Sequence, residues 1–84
     1  IQELENTVNR CCNNVMAKLR EELPTLDEID YLQLCYHYAG FSGKLISLLL
    51  NKSQANIYMR KSRLKEKISQ SNIKNKEEIL AFLL

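Results

Sequence analysis

The residues of this chain that could do chemistry are three cysteines, Cys11, Cys12 and Cys35, and one histidine, His37. Three thiols cannot all pair within the chain, and neither a C-x-x-C motif nor a cysteine and histidine set with zinc-ligand spacing is present. Cys35 and His37 are two residues apart, so in a helix their side chains point to different sides and cannot form a catalytic dyad. We therefore predict reduced, buried thiols in a cytosolic protein, with no metal site and no cofactor.

Sequence motifs for catalysis are also missing. The chain has no G-x-x-x-x-G-K-S/T, H-E-x-x-H or G-x-S-x-G motif, and no nucleophile accompanies its acidic residues. We predict that the protein is not an enzyme and has no small-molecule substrate.

Charge is unevenly distributed along the 84 residues, although the net charge is only +2. Residues 1–38 carry three basic and seven acidic side chains, a balance of −4, whereas residues 39–76 carry nine basic and one acidic, a balance of +8. Five of these basic side chains lie in the stretch SQANIYMRKSRLKEKI, residues 53–68. The second half of the chain is therefore expected to attract an anionic partner.

The elements that position this stretch are predicted to be helices, because the composition includes 45% hydrophobic residues, two glycines and one proline. Apolar residues at three- and four-residue steps predict one long lead-in helix that ends near Leu23, before Pro24. These residues are Ile1, Leu4, Val8, Cys11, Val15 and Leu19. We divide the chain into this lead-in helix, residues 1–24, and a helical domain, residues 25–84.

A second and a third helix open the helical domain. The second begins at a capping box of Thr25 and Glu28 and ends at Gly40, a left-handed cap. Its predicted buried face consists of Ile29, Leu32, Tyr36 and Ala39. The third begins at Ser42 and is so apolar that we expect it to lie deep in the fold. Its apolar residues are Leu45, Ile46, Leu48, Leu49 and Leu50.

The fourth and fifth helices complete the bundle. Residues 51–52 form a tight turn, and Ser53 caps a fourth helix over about residues 54–69. Asn75 and Glu78 offer a capping box for a closing helix. Its apolar residues are Ile79, Leu80, Phe82 and Leu83. An apolar helix joined by a short turn to a basic amphipathic one is typical of a helix-turn-helix, so we predict an all-α helix-turn-helix bundle of about five helices without a β wing.

The fourth helix has two distinct sides. Ile57, Leu64 and Ile68 share one side, which we expect to face the core. The opposite side carries candidate contacts to base edges in the major groove of double-stranded DNA. They are Gln54, Ala55, Tyr58, Met59 and Ser62. Basic and hydroxyl side chains nearby are candidate contacts to DNA phosphates. They are Ser42, Lys44, Ser53, Arg60, Lys61, Arg63, Lys65 and Lys67.

Residues 23–68 resemble the LuxR-type C-terminal effector domain of bacterial regulators; their sequence is LPTLDEIDYLQLCYHYAGFSGKLISLLLNKSQANIYMRKSRLKEKI. That family has an L-T-x-x-E opening, then A-x-G-x-S-x-K-x-I-A, L-x-x-S-x-x-T-V and a closing K-L. Residues that occupy or nearly occupy those places are Leu26, Glu28, Ala39, Gly40, Ser42, Lys44, Ile46, Leu49, Ser53, Ile57, Lys67 and Ile68. The chain is most similar to the variant attached to tetratricopeptide-repeat sensor proteins, in which a leading helix ends in L-x-x-x-x-P-x-L and the recognition helix carries R-L-K-x-K-I.

This resemblance implies the DNA-binding output domain of a bacterial transcriptional regulator, whose recognition helix enters the major groove. By position, Tyr58, Met59 and Ser62 match the groove-facing sites of the family. Its phosphate-contacting sites match or neighbour Ser42, Lys44, Arg60 and Arg63. Tyr58 replaces a lysine and Lys52 replaces a buried isoleucine of the family, so the resemblance implies the docking mode but not the operator sequence.

The alternative function is a protein-interaction or dimerisation module, in which the lead-in helix pairs with a second copy or with an upstream coiled coil. Asn14 and Lys18 shorten that seam, and the two functions are compatible. Because the chain starts at Ile1 within a periodic pattern, we expect it to be part of a longer protein. No apolar run approaches the length of a bilayer span. We therefore expect a cytoplasmic fragment without membrane contact, any membrane anchor lying upstream.

Overall fold

The computed structural model describes residues 2–74 and 76–83, and every regular element within them is an α-helix. The elements are α1 Gln2–Cys11, α2 Val15–Glu22, α3 Glu28–Tyr38, α4 Gly43–Leu50, α5 Gln54–Ser69 and α6 Lys76–Ala81. The predicted all-α bundle is confirmed. It has one helix more than expected because the lead-in segment forms two helices.

A turn at Asn13 and Asn14 separates α1 from α2, so the prediction of one long lead-in helix is wrong. Both residues have left-handed backbone conformations, with φ of 54° and 61°, which asparagine tolerates better than most residues. The side-chain oxygen of Asn9 accepts hydrogen bonds from the backbone N–H groups of Met16 at 2.9 Å and Ala17 at 3.2 Å. A helix start leaves such donors unpaired, so a side chain of α1 caps α2.

This turn changes which side chains of the lead-in segment reach the core. Three residues of the predicted stripe are buried as expected: Val8, Val15 and Leu19. Cys11 is exposed and Cys12 is half-buried, so the prediction of a buried thiol is wrong for Cys11. Cys35 is buried, and burial raises its pKa to about 11. The Cys35 thiol is therefore protonated at neutral pH.

The start of α3 is set by a capping box of Asp27 and Asp30, not by the predicted box of Thr25 and Glu28. The Asp30 N–H donates to a carboxylate oxygen of Asp27 at 2.8 Å, and the Asp27 N–H donates to the Asp30 carboxylate at 3.4 Å. The chain turns between Leu23 and Leu26 before the helix begins. This turn delays the helix beyond the start that the sequence predicts.

The buried face of α3 also differs from the prediction. The apolar residues that it buries are Tyr31, Leu34, Cys35 and Tyr38. Ile29 is 40% exposed, and the other three predicted residues, Leu32, Tyr36 and Ala39, are only half-buried. Apolar residues occur on every side of α3, so periodicity alone does not select the side that packs.

The core is closed by the C-terminal part of the chain. Apolar side chains of α5 and of the segment after it pack against α1 to α3: Leu64, Ile68, Ile73, Ile79 and Leu83. The Tyr38 hydroxyl donates to the Ile79 carbonyl at 3.1 Å, which ties α3 to α6. Of the predicted closing helix, Leu80 is half-buried and Phe82 is 59% exposed. The predicted capping box at Asn75 lies outside the described residues.

α4 lies at the surface, so the prediction that it is deeply buried is wrong. Only Ile46 and Ser47 of this helix are buried, and Leu48 is 70% exposed.

Within the described ranges, no helix has both the length and the apolar character needed to cross a membrane.

Candidate nucleic-acid interface

The connection from α3 through α4 to α5 has the caps that the sequence predicts. Gly40 has a φ of 87°, which glycine adopts without the strain that a side chain would add. Ser42 Oγ accepts from the Leu45 N–H at 3.1 Å at the start of α4, and Ser53 Oγ accepts from the Asn56 N–H at 3.0 Å at the start of α5. Between them, Asn51 ends α4 in a left-handed conformation. The turn of residues 51–53 is therefore short and defined.

The rotation of α5 about its own axis agrees with the prediction. Ile57, Leu64 and Ile68 are buried, at 2%, 2% and 0% exposure. The five predicted base-contacting residues are all exposed, with Tyr58 at 72% and Met59 at 66%: Gln54, Ala55, Tyr58, Met59 and Ser62. The side of α5 that the sequence assigns to a partner is therefore open to solvent.

A cleft of about 430 Å³ lies beside Tyr58, and the N-cap and first residue of α4 form part of its wall. Residues lining it include Ser42, Gly43, Gln54, Lys61 and Phe82. Phe82 follows α6, so the C-terminal segment borders this cleft without covering Tyr58. The N–H groups at a helix start and a lysine are both favourable neighbours for an anion.

The predicted phosphate contacts differ in their surroundings. Lys44, Arg63 and Lys67 are exposed, and Lys61 and Lys65 are half-buried. None of these five forms an ion pair with a described residue. Ser42 and Ser53 are exposed, and each hydroxyl keeps its hydrogen for donation after accepting the cap bond.

Arg60 is the exception among the predicted phosphate contacts. Its Nη1 lies 3.0 Å from Asp30 Oδ1, and the two side chains are only 16% and 12% exposed. The ion pair joins α5 to α3. The structure therefore gives this guanidinium a protein partner, and Arg60 is not one of the unpaired cations beside the contact side of α5.

A second link joins α3 to α5, and neither this link nor the ion pair of Asp30 and Arg60 is predicted from the sequence. The fully buried Gln33 donates from Nε2 to the Ile57 carbonyl at 3.0 Å. The same nitrogen lies 3.2 Å from His37 Nε2. Burial, and then the charge of Lys61, lower the pKa of His37 to about 4, so the ring is neutral at pH 7 and its Nε2 can accept this hydrogen bond. The only sequence signal for this link is a polar residue within YLQLC, residues 31–35.

Metal binding has no support in the geometry: within residues 2–74 and 76–83, no group of three or more histidine, cysteine, aspartate or glutamate side chains is arranged to hold an ion. Comparisons of the chain with protein-family models, curated proteins and solved structures find no match. The features of the described residues that bear most directly on function are therefore the pair of helices α4 and α5, the short turn between them and their exposed surface.

Proposed function

We propose that this chain is the DNA-binding output domain of a bacterial transcriptional regulator of the LuxR type. In this proposal α5 enters the major groove of double-stranded DNA, which places the domain in the cytoplasm. The observation that carries the proposal is the exposed set of predicted contact residues on α5, flanked by cations that no described carboxylate neutralises.

The contact side of α5 has the chemistry that groove recognition needs. Gln54 carries both a donor and an acceptor, which suits the adenine edge. Ala55 and Ser62 are small enough to let the helix backbone approach the bases. Tyr58 and Met59 offer apolar surface to thymine methyl groups or sugars. Base contacts would therefore come mainly from the N-terminal half of α5.

Phosphate contacts would come from the flanks of this side. The cations available are Lys44, Lys61, Arg63, Lys65 and Lys67. The first turn of α4 adds backbone N–H groups and the Ser42 hydroxyl, which are suited to a phosphate oxygen. Such contacts orient the domain without reading sequence.

Two links to α3 support a recognition role because they hold α5 in place. The Gln33 bond to the Ile57 carbonyl and the Asp30 ion pair with Arg60 lie on the inner side of α5. A contact helix held in this way loses little further conformational entropy on binding.

The alternative, dimerisation through the lead-in segment, has less support. Val8, Val15 and Leu19 are used by the chain's own core, and the turn at Asn13 and Asn14 interrupts the seam that a coiled coil would need.

The proposal is tested by fluorescence anisotropy of labelled duplex DNA at increasing salt. We expect log affinity to fall with log salt at a slope of about −4.5, since the five available cations would each neutralise one phosphate and each neutralised phosphate contributes about −0.9. Lys61→Glu combined with Arg63→Glu should weaken binding about 100-fold, or about 1.4 kcal/mol for each reversed charge. Arg10→Glu combined with Lys18→Glu makes the same change in net charge on α1 and α2 and is the matched control. Equal losses in the two variants, or a flat salt dependence, would contradict the proposal.

A further inference from the structure

The outward side of α4 consists of leucines. Leu45, Leu48 and Leu49 are 41%, 70% and 49% exposed, whereas Ile46 and Ser47 face inward and are buried. Residues at positions i, i+3 and i+4 are neighbours on a helix surface, so the three leucines form one continuous strip. We call these three residues the leucine strip.

The strip differs from ordinary surface apolarity. Single exposed apolar side chains are common in folded proteins, whereas contiguous ones are often functional. α4 packs against α3 and α5 with its other side. The strip is one helix wide and about one turn long, which are the dimensions of a helix contact rather than of a ligand pocket.

The charged residues nearest the strip along the chain are both lysines. Lys44 lies one turn before Leu48, and Lys52 follows the end of α4. No acidic residue occurs between Asp30 and Glu66. A second copy of this chain is therefore an unfavourable partner, because a two-fold interface places the same patch on both sides and brings lysine against lysine.

We propose that the leucine strip docks an amphipathic helix of another protein, one whose apolar seam is flanked by acidic side chains. An amphipathic helix binds apolar surface of another protein through its own apolar face, and the flanking lysines favour acidic side chains beside that face. Three leucines make a small contact, so the complex is transient. The proposal rests on exposure and charge in α4 and does not depend on DNA binding by α5.

The test uses two labelled synthetic helical peptides with the same leucine seam, one with glutamates at the flanking positions and one with lysines. Anisotropy with the whole chain should show the glutamate peptide binding at least about tenfold more tightly, because the lysine peptide is repelled. Leu48→Gln combined with Leu49→Gln should weaken that binding at least about tenfold, since it removes the most exposed part of the seam. Circular dichroism should show unchanged helicity. Lys44→Glu combined with Lys52→Glu should reverse the preference between the peptides.

Several results would overturn the proposal. Two of them concern the peptides: equal affinity for both, or unchanged affinity in the Leu48 and Leu49 variant. The other two concern other partners: a dimer seen in sedimentation, or binding to phosphatidylserine vesicles, either of which is lost in this variant. The last two would assign the strip to a second copy or to a membrane surface.

Failure of this proposal can be told apart from failure of DNA binding. The Leu48 and Leu49 variant should keep its DNA affinity, and the Lys61 and Arg63 variant should keep its affinity for the glutamate peptide. Loss of peptide binding in the latter variant would place the peptide on α5 and overturn the assignment to α4.

Discussion

Basic side chains differ between two regions of the molecule in whether they have an acidic partner. The first region is α1 to α3, and the second is the outer side of α5. In the first region Arg20 donates to Glu5 at 2.6 and 3.1 Å, pairs with Glu28 at 3.4 Å and lies over the Tyr31 ring. In the second, Arg63 has no carboxylate partner among the described residues. A basic residue is available to a ligand only when the fold has not already neutralised it.

Arg60 shows that this difference does not follow the helix boundaries. It belongs to the basic stretch of α5, yet it forms an ion pair with Asp30, as Arg20 of the first region does with Glu5. Paired and unpaired cations therefore lie on different sides of α5 as well as in different parts of the chain, and substitutions at individual residues distinguish them.

The largest effect on stability is expected at Arg60. Arg60→Ala leaves the Asp30 carboxylate without its cationic partner and should lower the free energy of unfolding by about 3 kcal/mol, the low end for breaking a buried ion pair. Arg63→Ala, the matched change on the outer side, should cost about 0.5 kcal/mol or less. Urea unfolding followed by circular dichroism measures both. Similar losses of unfolding free energy in the two variants would show that the paired Arg60 and the unpaired Arg63 do not differ in this way.

A second effect is expected from His37. Its pKa is about 4 in the folded protein because of burial and Lys61, whereas an unfolded histidine titrates near about 6.5. The unfolded chain binds more protons between these values, so the free energy of unfolding should fall as the pH drops from about 6.5 to about 4, by about 2.5 kcal/mol. Urea midpoints across this range should decline less in His37→Gln than in the parent. Parallel declines would show that His37 is not buried as a neutral ring.

The smallest effect on stability is expected at Asn9, whose side chain caps α2. Asn9→Ala should lower the free energy of unfolding by about 1 kcal/mol, the usual cost of losing a cap. Asn72→Ala is the control, since Asn72 is exposed and its side chain makes no hydrogen bond to a described residue. Urea unfolding measures both variants. If Asn9→Ala lowers the free energy of unfolding no more than the control does, the turn at residues 12–14 forms without this cap.

The sequence determined the inner and outer sides of α5. Ile57, Leu64 and Ile68 form a single apolar stripe in an otherwise polar helix, so only one rotation buries apolar area. The caps at Ser42 and Ser53 and the left-handed Gly40 were also predictable, because each depends on residues close together in the chain. These features define most of the candidate interface.

Tertiary structure alone decided the rest. α3 and α4 carry apolar residues on more than one side, so their periodicity left the buried side open, and packing against neighbours placed the leucine strip outward. The Asp30 to Arg60 pair and the Gln33 to Ile57 bond join residues 30 and 24 positions apart. Local patterns specify which side chains share a helix face, but the partner of a charge and the side that meets the core depend on which helices pack together.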